Sequence, residues 1–219
     1  MHNYIILGKK TTPMKKYILI LSIICTSFQA FSQKEKPCGM KDGLQEGTCK
    51  QFYGNGKTSS SENWKKGKRE GIANYFYENG NLKASGNFTK DKKNGLWKYY
   101  YENGAISAEE KFVFKDFAEI KEGAFKKYHP DGSVKEAYTY VDDKLDGLYT
   151  FYFPGGAVDE QGSYDKGVFI GTWKNYFPNG KLKCQSTYVN GKLEGESTCQ
   201  DENGKITKKT TYKNGVKVK

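Results

Sequence analysis

The stretch GLWKYYYENG, residues 95–104, decides how the chain is read. A glycine opens it, an aromatic-rich run follows, and Asn103-Gly104 closes it. An Asn-Gly pair between strand-like runs is a strong hairpin signal, because a type I′ turn needs positive φ at both central residues. The stretch therefore reads as a strand leading into a tight turn. Its meaning depends on whether it recurs.

It does recur. Glycines stand at 47, 71, 95, 123, 147, 171 and 195, at intervals of 24, 24, 28, 24, 24 and 24 residues. Nine residues after each comes a second glycine, preceded by Asn in five units, by Asp131 in one and by Gly155 in one. A fixed period of this kind marks a repeat array, in which one supersecondary unit leans on the next. The expected fold is all-β: an elongated, single-layer antiparallel meander of about seven β-hairpin repeats, with about fourteen short strands.

With the first glycine of each unit as position 0, the first strand is expected over roughly positions 1–7 and the second over 10–17. A two-residue turn then sets position 6 opposite 11, 4 opposite 13 and 2 opposite 15. Position 6 holds Tyr53, Tyr77, Tyr101, His129, Phe153, Phe177 and Asp201, and position 11 is mostly aliphatic. Aromatic–aliphatic pairs of this kind contribute about 0.2–1 kcal/mol across a ladder. Position 17 is Trp, Phe or Tyr in every unit, while positions 12 and 16 are largely polar, the alternation of a half-buried strand.

Residues 1–32 differ from the rest. Lys15-Lys16 precede the apolar run YILILSIIC (17–25), and small or polar residues end in Ala30-Phe31-Ser32. This is the order of a secretory signal peptide starting at Met14, with cleavage expected between Ser32 and Gln33. Ile24 stands before Cys25 where a lipoprotein acceptor needs a small residue. Losing residues 1–32 removes four lysines and no acids, lowering the formal charge from +11 to +7. Residues 33–46 read as an N-terminal cap strand and 47–219 as the seven repeats. The expected location is outside the inner membrane: periplasmic, outer-membrane-associated or extracellular.

Four cysteines remain after that cut, and an even number in an exported chain suggests disulfides. If the meander continues from unit to unit, position 13 faces position 4 of the next unit, which brings Cys184 opposite Cys199. The same register sets position 15 opposite the next position 2, and one unit earlier this brings Cys38 opposite Cys49. Directly opposed residues have Cα atoms about 4.5–5.5 Å apart, within disulfide reach. The pairs lack the short spacing of a zinc site.

The pattern in GTWKNYFPNGKLK (171–183) and GLWKYYYENGAIS (95–107) resembles the MORN repeat variant, and bacterial chains built this way include the YwqK-family antitoxin-like proteins. The resemblance covers about 47–219 and implies stacked β-hairpins that bind partners. The chain departs from the pattern at position 2, where Trp occurs only at Trp97 and Trp173, and by four extra residues near FVFKDFAEIKE (112–122). A weaker resemblance, to choline-binding wall repeats, is set back by their period nearer twenty.

Catalysis finds no motif. His129 occupies a position otherwise aromatic and reads as a packing residue. Glu109-Glu110 and Asp142-Asp143 are adjacent, so alternation in a strand sends their carboxylates to opposite faces. No nucleophile elbow, phosphate loop, metal cluster or nucleic-acid motif is present, and no cofactor is called for. The candidate binding feature is position 5: Phe52, Phe76, Tyr100, Tyr128, Tyr152 and Tyr176, flanked by lysines at positions 3 and 12. These rings either stack on one another as packing or present a surface. The leading expectation is an exported protein-binding module or scaffold at the cell envelope. The alternatives are an antitoxin- or immunity-like neutralising partner, and a binder of envelope glycan or anionic membrane.

Overall fold

The computed structural model describes residues 38–218. The signal-like segment and its expected cleavage point lie outside them. Among the described residues there is no helix, and nineteen strands form one open antiparallel sheet. Successive hairpin strands pair in sequence order, as a meander requires, and where a strand is split both halves pair with the strand before them. The cap is the short strand Gly39–Lys41, which turns at Asp42-Gly43 and pairs with the start of Leu44–Phe52.

The count exceeds fourteen because the cap strand and the final Val216–Lys217 add two and because three strands are split. The first strand of each unit also begins about three residues before its glycine, as in Lys68–Phe76 around Gly71. In three later units it is interrupted next to that glycine, as between Lys144–Leu145 and Gly147–Tyr152. The glycine itself is the cause. Pairing slips there, from Glu62 opposite Ala73 to Trp64 opposite Arg69, and Gly71 takes up the bulge at φ 92°. All seven unit glycines have positive φ, which explains why no side chain replaces them.

The two turns exchange the chemistry expected of them. At the Asn-Gly turns Tyr53 N–H donates to Lys57 O and Gly56 N–H donates to Tyr53 O, and this pair of bonds recurs in all seven units. In six of them only the second glycine has positive φ, the geometry of a three-residue loop with a glycine bulge. The asparagine is there for its side chain: Asn55, Asn79, Asn103 and Asn179 each accept the N–H two residues on through Oδ1. The bulge shifts the register, so position 5 pairs with 11, as Phe76 with Leu82, and the expected pairing of 6 with 11 is not made. The pairings of 2 with 15 and 4 with 13 are as expected: Cys49 faces Glu62, and Gln51 faces Ser60.

Type I′ turns lie instead between units. Lys66-Gly67 (φ 51° and 72°), Asn190-Gly191 (48° and 77°) and six others place both central residues at positive φ. Alternate turns of a meander fall on the same sheet edge. One edge thus carries the type I′ turns and the other the three-residue loops. The four extra residues lengthen one hairpin, Ile106–Lys115 with Ala118–Lys121, by two pairs, so that its turn falls at Asp116-Phe117.

Cys184 pairs directly with Cys199, and both expected disulfides are formed, Cys38–Cys49 and Cys184–Cys199, with Cα atoms 4.6 and 4.0 Å apart. They fasten the two ends of the sheet.

Candidate functional site

Alternation gives the sheet two unlike faces. Even positions of the first strand and odd positions of the second make the packed face. Rings run along it: Phe125, Tyr138, Tyr149 and Trp173 stack in series with centroids 5.9 Å apart at each step. Trp97, 1% exposed, lies beside Tyr75 and Tyr99 at 6.4 and 6.3 Å and meets the edge of Phe88 at 5.0 Å. A single layer can bury an indole only if a neighbouring strand makes room. Gly86 and Gly162 do so: a β-carbon at either would overlap the indole of Trp97 or Trp173. Position 15 is glycine in those two units alone, the units whose successor carries Trp at position 2.

Charged side chains close this face. Lys93 Nζ lies 5.0 Å from the Trp97 ring and 4.9 Å from that of Phe112, and it donates to the Tyr99 hydroxyl at 2.7 Å. Arg69 sits 4.0 Å over Phe88. Tyr75 donates to Glu62. Burial, then the neighbouring Glu62, pushes the Tyr75 hydroxyl up to about 12, and burial with Glu110 raises Tyr99 as well. These rings frame a shallow depression of about 370 Å³ floored by Ala84. The indole N–H of Trp97 donates to Asn87 O at 3.0 Å, whereas that of Trp173 is buried without an acceptor.

The other face carries the position-5 row, and nothing covers it among the described residues. Phe52 is exposed, and Phe76, Tyr100, Tyr128, Tyr152 and Tyr176 are half-buried. Among the described residues none of the six stacks on another; the ring stacks belong to the packed face. The Tyr128 hydroxyl donates to Glu109 at 2.7 Å, and Lys98 reaches the same carboxylate at 3.2 Å. Tyr128 first, then Lys98, holds the Glu109 carboxyl below its ordinary value, and burial with Glu109 pushes Tyr128 up to about 12.

A second apolar row was missed by sequence reasoning. Position 1, four residues before the ring row and on the same face, bears Ile72, Leu96 and Leu148, which are 55%, 48% and 56% exposed. Its signal was an aliphatic residue directly after the unit glycine.

Two further sets of residues fasten unit to unit. Tyr53, Tyr77 and Tyr101 donate their hydroxyls to the carbonyls of Phe76, Tyr100 and Tyr128 in the next unit. His129 occupies the same place, its Nε2 3.0 Å from Tyr152 O, so the histidine acts as a clasp. Before the unit glycine, Glu46, Glu70, Glu122, Asp146 and Glu194 each accept a turn N–H twenty residues later through the carboxylate. Asn94 does the same for Phe114. The acid recurring at that position was the unread sequence signal.

Among the described residues no group of three His, Cys, Asp or Glu side chains is placed to hold a metal ion. A sequence profile described as MORN repeat variant matches seven segments: 45–66, 69–90, 93–113, 121–142, 145–166, 170–190 and 193–214. No curated protein matches the chain.

Proposed function

The chain belongs to the MORN repeat variant family, matched over most of residues 45–214, and from that premise we propose that it is an exported protein-binding module of the cell envelope. Repeats of this family are a non-catalytic domain that commonly binds proteins or lipids. The reading rests on one observation: the uncovered face bears two parallel rows, exposed aliphatics Ile72, Leu96 and Leu148, and half-buried rings that include Phe76, Tyr100 and Tyr152. The rows stand about 13 Å apart, four residues of strand. Apolar surface laid out in this way, with tyrosines that offer both a ring and a hydroxyl, is the composition of a protein interface core. The polar residues between the rows supply the hydrogen bonds that fix register.

Export is supported by the signal-like order of residues 14–32 and by two disulfides, which persist in oxidising compartments. The test is a pull-down from the native envelope with the parent chain and with Ile72→Ser, Leu96→Ser and Leu148→Ser combined. These side chains are exposed, so the variant folds. A partner held by the parent and released by the variant supports the reading; equal retention removes the face from consideration.

A further inference from the structure

Asn-Gly occurs eight times in the chain. In this pair the glycine's backbone nitrogen can attack the side-chain amide carbon of the asparagine, because no side chain crowds the approach. A C–N bond forms, ammonia leaves, and water then opens the cyclic imide. Opening at one carbonyl gives aspartate; opening at the other gives isoaspartate, with an added methylene in the backbone. The asparagine amide and the glycine N–H must be free at the same time. The hydrogen bonds of the fold therefore decide where the reaction runs.

Most of the eight are held. Asn55, Asn79, Asn103 and Asn179 each use Oδ1 to accept the N–H two residues on in their three-residue loops. Three of them are also tied to the following loop: the amide of Asn55 donates to Glu78 O, that of Asn79 to Glu102 O and that of Asn179 to the Glu202 carboxylate. Asn94 is fixed at both ends of its amide, by the Phe114 N–H and by Thr89. Asn190 and Asn214 stand in type I′ turns, where Gly191 and Gly215 give their N–H groups across the sheet to Phe169 O and Leu193 O.

The seventh loop breaks the pattern. Position 6, aromatic or histidine in the other six units, is Asp201 there. Its carboxylate accepts both the Asn203 N–H and the Lys205 N–H, each at 3.0 Å. The Lys205 N–H is the donor that asparagine Oδ1 takes in the four held loops. Asn203 is thus exposed and has no side-chain hydrogen bond among the described residues. No later loop stands beside it among those residues to accept its amide. The Gly204 N–H is bonded inside its own loop, to Asp201 O at 2.9 Å. A loop at the end of a sheet opens more readily than one held on both sides.

We propose that Asn203 is the chain's site of spontaneous conversion to aspartate and isoaspartate, while the other loop asparagines are retained. The product adds a carboxylate beside Asp201 and Glu202 and takes the formal charge of residues 201–205 from −1 to −2. The last repeat thereby acquires a mark of the chain's age that the interior repeats do not. The inference stands apart from the protein-binding face.

The test incubates the full chain, disulfides intact, at mildly alkaline pH and follows each Asn-Gly site by peptide mass mapping. Isoaspartate is read by enzymatic methyl transfer to its α-carboxylate. Conversion at Asn203 about tenfold faster than at Asn55, Asn79, Asn103 and Asn179, the factor set by one hydrogen bond of ordinary strength, supports the proposal. Equal rates in the five loops, or faster conversion at Asn94, Asn190 or Asn214, overturn it. The chain reduced and unfolded in urea separates structure from local sequence. There the five loop sites should convert at similar rates, and an unchanged lead for Asn203 would overturn the proposal. Asp201→Phe gives the seventh loop the residue that the sixth has at Phe177. Oδ1 of Asn203 then takes the Lys205 N–H, and conversion slows towards that of Asn179. An unchanged rate in this variant contradicts the role given to Asp201.

Discussion

Gly86 lies against the indole of Trp97 so closely that no β-carbon fits between them. The same relation holds between Gly162 and Trp173. The glycine belongs to one unit and the tryptophan to the next, so the pair ties the packing of adjacent repeats together.

Gly86→Ala therefore costs about 1–3 kcal/mol, the range for forcing extra volume into a packed site. Trp97→Leu in the same chain relieves the overlap, and the alanine then costs much less. Urea unfolding of the single and double variants measures the coupling. Additive effects would mean that the two residues do not meet.

The clasps predict gains as well as losses. Phe153 and Phe177 occupy the place where Tyr53, Tyr77 and Tyr101 donate to the next unit. Phe153→Tyr adds a hydroxyl directed at the Tyr176 carbonyl and stabilises by about 0.5–1.5 kcal/mol, and Tyr101→Phe loses a similar amount. Thermal midpoints of the two variants should move in opposite directions.

Stability falls on the alkaline side. Tyr75, Tyr128 and Tyr149 have hydroxyls pushed up to about 12, chiefly by burial. A raised folded value means that their contribution is complete below the ordinary tyrosine pKa and is lost as pH climbs from about 10 towards 12. Glu109 has the opposite sign. Its folded value is lowered by Tyr128 and Lys98, so its contribution is present above its ordinary value and lost as pH falls below that. Thermal midpoints across pH check both limits, and Tyr128→Phe should make the alkaline and the acid loss each smaller.

Opening Cys184–Cys199, which closes a separation of 15 residues, costs about 3 kcal/mol. Hydrogen exchange in Cys184→Ser with Cys199→Ser should show loss of protection confined to the last units. Uniform loss along the chain would show that the sheet unfolds only as a whole.

The fold was legible because period and register are counted in residues. Seven evenly spaced glycines fixed the units, and one register rule placed Cys38 against Cys49 and Cys184 against Cys199 without any side-chain detail. The turns were misread because Asn-Gly serves two loops: in one the asparagine needs positive φ, in the other it only lends a carbonyl oxygen to the N–H two residues on. The true type I′ turns include Lys90-Asp91 and Asp116-Phe117, which carry no such signature. The candidate face was half legible. The ring row of Phe76, Tyr100 and Tyr152 followed from alternation; the same parity puts Ile72, Leu96 and Leu148 on that face, but they stand directly after the unit glycine and were not read as part of it. The match of Gly86 to Trp97 required knowing which strands touch.

The central claim is that the uncovered face is where the chain meets a protein. Photo-crosslinking in the cells that make it tests this directly, with p-benzoylphenylalanine at Leu96 or Leu148 on that face and at Tyr99 on the packed face. A shared protein adduct from 96 and 148, absent from 99, is the predicted result. Adducts from Tyr99 alone, or the same adduct from all three, would contradict it.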